Sequence, residues 1–154
     1  NDAIDWTKVQ PEDPVWYARN IGETTVKGIE AEFNHRLKDW LKYSVGYTYL
    51  DNQLNKPADF SARYLLDNLK HQFIAKLETR FLKNFTNEIV YRYNERLNNG
   101  SYNLVDNKLS FVKRDFSLYV LINNITNTSY TETFGVEMPQ RWFHVGLSYN
   151  FNIK

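Results

Sequence analysis

The side chains that could do chemistry are few and scattered. The three histidines are His35, His71 and His144. No two stand at the i, i+2 or i, i+4 spacing that aims both imidazoles at one ion, so no metal site is expected. Gly146-Leu147-Ser148-Tyr149-Asn150 has the serine of a nucleophile elbow but ends in Asn where the second glycine belongs. Glu30 and Glu32 are the nearest approach to a catalytic carboxylate pair. With Arg36 and Lys42 close by, they read as members of an ion-pair network rather than an acid–base couple. Cysteine is absent, which removes thiolate nucleophiles, Cys-based metal sites and a disulfide framework. There is no P-loop or dinucleotide fingerprint. The expectation is a protein that is no enzyme and holds no cofactor.

Binding is the better prospect. Aromatics make up 16% of the 154 residues, with Tyr 11 and Phe 10. Amphipathic rings favour places where one end is apolar and the other wet. The formal net charge of +1 gives no field to draw nucleic acid.

The elements that carry these rings are strands. Apolar and polar residues alternate with period two in about seven segments: Thr25–Leu37, Trp40–Leu50, Leu69–Leu82, Phe85–Arg96, Tyr102–Val112, Asp115–Asn123, and the end of Pro139–Phe151. The Tyr102–Val112 segment is the least regular. Helical stripes are broken by charges. The longest apolar run, Leu118–Ile122, is far short of the roughly 20 residues of a membrane helix. Short turns at Leu37–Trp40, Leu82–Phe85 and Val112–Asp115 alternate with long loops at Asp51–Asn68, Leu97–Ser101 and Asn124–Gln140. Asn1–Glu23, with its two prolines in "PEDPVW", reads as a further loop. In an antiparallel up-and-down meander every short turn then falls at one end and every long loop at the other.

Two solvents fit such faces. A soluble sandwich or lipocalin-like barrel would turn the apolar faces into a core and bind a small apolar ligand. A membrane barrel would turn them to lipid. The polar faces mix Gly, Ser, Thr and Asn with charges of both signs, which suits a hydrated lumen. Aromatics gather near strand ends. Phe33, Trp40, Phe81, Phe85, Phe111, Phe116 and Phe151 lie toward the short turns. Tyr47, Tyr49, Tyr91, Tyr93 and Phe143 lie toward the long loops. Two belts of this kind mark an outer-membrane barrel, with short turns in the periplasm and long loops outside. An odd strand count and a start at Asn1 without Met point to part of a larger barrel or to a removed leader. In that setting the Asn-X-Ser/Thr triplets at Asn84, Asn99, Asn124 and Asn127 read as chance.

The segment Ile122–Phe151 resembles the C-terminal end of TonB-dependent outer-membrane receptors. The matching residues are Asn124-Ile125-Thr126-Asn127, Tyr130, Gly135, Pro139, Arg141 and the aromatic-ended last strand. Asn20–Phe33, with Gly28-Ile29-Glu30, and Tyr43–Asp51 resemble earlier strands of these receptors. Gln140 departs from the pattern, since a small residue often precedes the Arg. The resemblance implies that residues 1–154 are the C-terminal segment of a barrel of about 22 strands, without its plug domain and N-terminal strands. It also implies import of a scarce nutrient (iron-siderophore, haem, cobalamin or glycan) across a Gram-negative outer membrane. A porin or enzyme barrel of another kind is the remaining membrane alternative. The implied partners are outer-membrane lipid, the plug and the rest of the barrel, TonB through the N-terminal region, and the ligand. Loop residues Trp6, Trp16, Tyr17, Phe60, Arg63, Tyr64, Tyr130, Phe134 and Met138 are the candidate ligand contacts. Tyr149 and Phe151 resemble the C-terminal signal read by the outer-membrane insertion machinery. The outer edge of the last strand is expected to be unpaired.

Overall fold

A computed structural model describes residues 2–8, 10, 12–54, 61–62, 69–97, 100–133 and 136–151. The strands in chain order are β1 (Asp2–Lys8), β2 (Tyr17–Lys38), β3 (Leu41–Leu54), β4 (Ser61–Ala62), β5 (Leu69–Phe81), β6 (Phe85–Arg96), β7 (Gly100–Lys113), β8 (Phe116–Asn123), β9 (Thr131–Thr133), β10 (Val136–Glu137) and β11 (Trp142–Tyr149). Nine of them form one antiparallel sheet in the order β11-β8-β7-β6-β5-β3-β2-β1-β4, and β9 with β10 makes a small hairpin. The seven long strands β2, β3, β5, β6, β7, β8 and β11 are the meander expected from the alternation.

Register sorts the residues into two faces. One cross-strand row reads His35, Tyr43, Leu77, Ile89, Asn107, Ile122 and Phe143. The row beside it on the other face reads Arg36, Lys42, Glu78, Glu88, Lys108, Leu121 and His144. The apolar face is left open: Ile29, Phe33, Leu77, Ile89, Val120, Phe143, Val145, Leu147 and Tyr149 are all exposed. Tyr102 and Leu104 are the only buried apolar residues among those described. A soluble protein of this composition would bury its large side chains in one core. No such core forms among the described residues, so the soluble alternative lacks its central requirement there.

The aromatic belts run across the strands. At the short-turn end Phe81 stacks on Phe85 at 5.6 Å, Phe85 meets Phe111 at 4.9 Å, and Phe111 meets Phe116 at 6.2 Å. Phe33 stands apart from this belt and packs on Tyr43, higher on β2. At the long-loop end the tyrosine hydroxyls find polar partners. Tyr47 bonds His71 Nδ1 at 2.7 Å, Tyr91 donates to Asn103 at 2.6 Å, and Tyr93 donates to Glu95 at 3.1 Å. Rings buried in an apolar phase with hydroxyls reaching a wet one are what an interface selects.

The turns also step along the sheet. Leu41 pairs with Thr79, yet β5 runs on to Phe81; Phe85 pairs with Phe111, yet β7 runs on to Lys113. Such stagger is what tilted barrel strands require. The β5–β6 turn has both central residues left-handed, Leu82 at φ 48° and Lys83 at φ 53°. That backbone matches the twist of the flanking strands.

Two expectations need correction. The segment Asn1–Glu23 is not a loop: β1 pairs with Tyr17–Glu23 of β2, and β4 adds to β1. Pro14 sits between the strands, where no ladder N–H is required. At 22 residues and about 3.3 Å each, β2 far exceeds the 9–11 or so needed to span a membrane. Its first part therefore runs beyond the length that a membrane-spanning strand needs. The loop Leu97–Ser101 is also shorter than expected, because β7 begins at Gly100. β11 has β8 as its one partner among the described residues, as expected of the last strand.

Gly28 and Gly146 make room for neighbours. A Cβ on Gly28 would lie 2.7 Å from the Tyr49 carbonyl oxygen and 2.6 Å from a Leu50 methyl. A Cβ on Gly146 would lie 2.1 Å from the Tyr119 ring. A ring can swing aside and a ladder carbonyl cannot. Gly28→Ala is therefore expected to cost about 1–3 kcal/mol, and Gly146→Ala less. The unfolding temperature of the heat-modifiable barrel on gels reads both; an equal or reversed order would refute the assignment.

Candidate functional site

The polar face is a wall of ions in cross-strand pairs. Lys42 meets Glu78 at 3.0 Å, Lys76 meets Glu88 at 2.5 Å, and Arg92 meets Asp106. Lys42, Glu78 and Lys76 line a groove of about 470 Å³ bordered also by Glu32, Asn34, Arg36 and Ser44. Glu32 accepts a 2.8 Å bond from Asn34. The expected network of Glu30 and Glu32 with Lys42 does not form, because register sets Lys42 opposite Glu78.

At the long-loop end the wall is roofed. The connection from Asn124 to Arg141 folds back over β6 and β7, and Asp106 on β7 anchors it. Asp106, 8% exposed, takes the Arg92 guanidinium through one oxygen and the Asn124 backbone N–H at 2.8 Å through the other. Asn124, 2% exposed, is left-handed at φ 50°, which Asn tolerates better than most residues. Its side chain donates to the Thr128 carbonyl and accepts from the Thr128 N–H and the Thr126 hydroxyl. Asn127, at φ 57°, receives the Arg141 N–H on its side chain, and Arg141 Nε donates back to the Ile125 carbonyl at 3.0 Å. The Asn124-Ile125-Thr126-Asn127 motif thus ties both ends of the last loop together.

Above this anchor Tyr130 packs on Tyr102 at 4.7 Å, and Tyr102 donates to Glu132 at 2.9 Å, with Arg96 4.0 Å from the same carboxylate. Met138 N donates to the Tyr130 carbonyl at 2.9 Å, setting the β9–β10 hairpin beside it. Burial first, and the Glu132 carboxylate second, push the Tyr130 phenol above its ordinary range.

The other candidate contacts are dispersed. Trp6 on β1 and Tyr17 on β2 are exposed; Tyr17 lies under the Arg19 guanidinium at 5.5 Å. Trp16 is half-buried, with Lys8 4.9 Å above its ring. Phe60, Arg63, Tyr64 and Phe134 lie outside the described residues. Tyr149 and Phe151 meet edge to face at 4.7 Å on the apolar side of the last strand. His35 sits against Phe33 and Tyr43, His71 bonds Tyr47, and His144 packs on Trp142. No group of acidic or imidazole side chains suited to a metal ion occurs among the described residues. Asp106 and Glu132 went unnoticed in sequence because register and loop folding bring them to Arg92 and Arg96, not spacing along the chain.

The family "TonB dependent receptor-like, beta-barrel" matches residues 1–152. A curated relative, "Probable TonB-dependent siderophore receptor PiuA" of Acinetobacter baumannii, is 48% identical over 50 residues, which is 32% of this chain and 6% of the relative. The crystal structure of the siderophore receptor PiuA from Acinetobacter baumannii superposes with a TM-score of 0.65 at 20% identity, covering 86% of this chain and 22% of that one. The likeness is one of fold, and the chain spans about a fifth of that receptor's length.

Two measurements check the roof. Asp106→Ala strands the Arg92 guanidinium and the Asn124 N–H, so it is expected to cost about 1–3 kcal/mol and to speed tryptic cleavage after Arg141. Cleavage at the parental rate would remove Asp106 as the anchor. Tyr130 is expected to ionise after exposed tyrosines in an absorbance titration compared with Tyr130→Phe. Its raised value makes it stabilising below about pH 10, with that contribution lost as pH rises through the raised value.

Proposed function

We propose, from the premise that the chain belongs to the TonB dependent receptor-like β-barrel family, that it forms outer wall, lumen and outer loops of a receptor importing an iron-siderophore. The family is one of receptors and not of enzymes. The observation that carries the membrane part is the continuous exposed apolar face between two aromatic belts. Such a face is costly in water and required in lipid. The siderophore part is supported by the named relative, whose matched stretch is 48% identical.

In this reading the protein resides in the outer membrane of a Gram-negative cell. A plug fills the lumen and meets the paired ions of the wall. TonB engages a region outside these residues and supplies the energy. Haem, cobalamin and glycan are the competing ligands. Trp6, Trp16, Tyr17, Phe60, Arg63, Tyr64, Tyr130, Phe134 and Met138 are proposed contacts of two kinds. Trp6 and Tyr17 offer exposed rings, one on each face of the β1–β2 ribbon, to an amphipathic chelate. Tyr130 and Met138 shape the mouth from below.

The test uses the full-length receptor in detergent, titrated with ferric catecholate and hydroxamate siderophores, haemin, cobalamin and an oligosaccharide. A ferric siderophore is expected to bind most tightly. Trp6→Ala with Tyr17→Ala is expected to weaken it about tenfold, the loss of a modest interface hot spot. Preference for haemin, cobalamin or the oligosaccharide would reject the siderophore assignment.

A further inference from the structure

The polar face changes character across the sheet. On β3, β5 and β6 its side chains are ionic, small or aliphatic, and no aromatic ring stands on it. Rings enter it on β7, β8 and β11. Tyr102 is covered by Tyr130 of the last loop. Tyr119 lies across Gly146, which has no side chain to hold it off, and Lys108 Nζ stands 4.9 Å from its ring. Trp142 is the ring left open, at 43% exposed. It pairs in register with Asn123 and directly follows Arg141, whose bond to the Ile125 carbonyl closes the last loop. His144 meets it edge to face at 3.9 Å. An indole on a wet face forgoes the gain of burial, so an occupant that covers its ring is favoured there.

Charge says what that occupant is. Lys42 and Lys76 each hold a carboxylate, Glu78 and Glu88. Lys108 stands directly across from Glu88, but Lys76 has taken that carboxylate at 2.5 Å. The Lys108 ammonium rests on the Tyr119 ring instead. Lys108, Leu121 and His144 form one cross-strand row. Neither β8 nor β11 carries an Asp or Glu. An anion arriving at Trp142 therefore meets a cation whose charge no carboxylate of its own row cancels, an imidazole, and no acid on the two strands beneath it. Aliphatic chelating arms offer the indole no π-face; an aromatic ring bearing anionic oxygens satisfies both the ring and the cation.

We infer that Trp142, His144 and Lys108 form a subsite on the inner wall for an aryl oxyanion, the catecholate-type arm of a ferric chelate. The aryl ring lies on the indole, and its oxygens turn to the Lys108 ammonium and the His144 imidazole. This rests on the siderophore reading above and adds a ligand class to it. Trp142 belongs to the mouth side of the wall, because it adjoins the closed end of the last loop. Specificity comes from the pairing of the two groups: the ring selects against alkyl chelates, and the cation selects against uncharged aromatics.

The test uses the full-length receptor in detergent, titrated calorimetrically with a ferric tris-catecholate and a ferric tris-hydroxamate. The parent is expected to prefer the catecholate. Trp142→Ala is expected to weaken the catecholate about tenfold or more and to leave the hydroxamate within about twofold. Trp142→Phe, which keeps a ring, is expected to recover most of the loss. Lys108→Gln leaves the indole in place and is expected to weaken the catecholate alone, with a shallower dependence on salt. Heat-modifiable migration reads the folding of each variant, and Lys108→Gln decides where Trp142→Ala does not fold. A parent that prefers the hydroxamate, an equal loss of both chelates, or affinities that neither variant changes overturns the inference; equal loss is what a ring packed only against the plug would give. A parent that binds neither chelate rejects the siderophore reading itself, and the two failures are thereby told apart.

Discussion

Every backbone N–H and C=O in hydrocarbon must find a partner in the protein, because lipid offers none. That constraint organises this chain. The ladder from β2 through β3, β5, β6, β7 and β8 to β11 pairs each strand with its neighbours residue by residue. Among the described residues it leaves two edges within the apolar band: β2 along Thr24–Lys38, since β1 covers only Tyr17–Glu23, and the far side of β11. Closure in a membrane requires strand partners on both. The stagger of the turns tilts the strands in the sense closure needs.

The same constraint frees the side chains to sort by solvent alone. With hydrogen bonding assigned to the backbone, one face can be apolar and the other ionic without a core between them. Tyr102 is buried where Tyr130 of the last loop packs on it, with Leu104 beside it on the same face of β7. This explains which parts of the fold were legible. The strands with one lipid and one wet face alternate cleanly in sequence. β7 does not, because the roof makes its inner face take Tyr102 and Leu104 while its outer face takes Asn107. The β1–β2 extension runs beyond the membrane-spanning length, so it carries no lipid-facing pattern to read. The left-handed turn residues Leu82, Lys83 and Arg114 are of types that give no hint of that backbone.

Legibility of the site follows a similar division. Asn124, Asn127, Tyr130 and Arg141 drew notice through a resemblance, and their physical task became plain only in three dimensions. One buried amide, a left-handed backbone and a returning arginine close the last loop. Asp106 carries the greater share, bridging Arg92 on the wall to Asn124 on the loop. Nothing in the local sequence distinguishes it from any other strand aspartate. Ranking loop residues by aromaticity joined exposed rings such as Tyr17 with Tyr130, which packs on Tyr102.

The pairing of charges along the polar face bears on its potential more than on its stability. Lys42–Glu78 and Lys76–Glu88 keep side chains 25–42% exposed, so each contributes only about 0.2–1 kcal/mol to stability. Their effect is instead on the potential. Neighbouring strands cancel each other's charge, and Lys108 turns its ammonium to the Tyr119 ring at 4.9 Å. Over the described strands such pairing leaves the polar face without a strong net field of either sign. Beyond it, at the long-loop end, the roof held by Asp106 sets the position of the last loop.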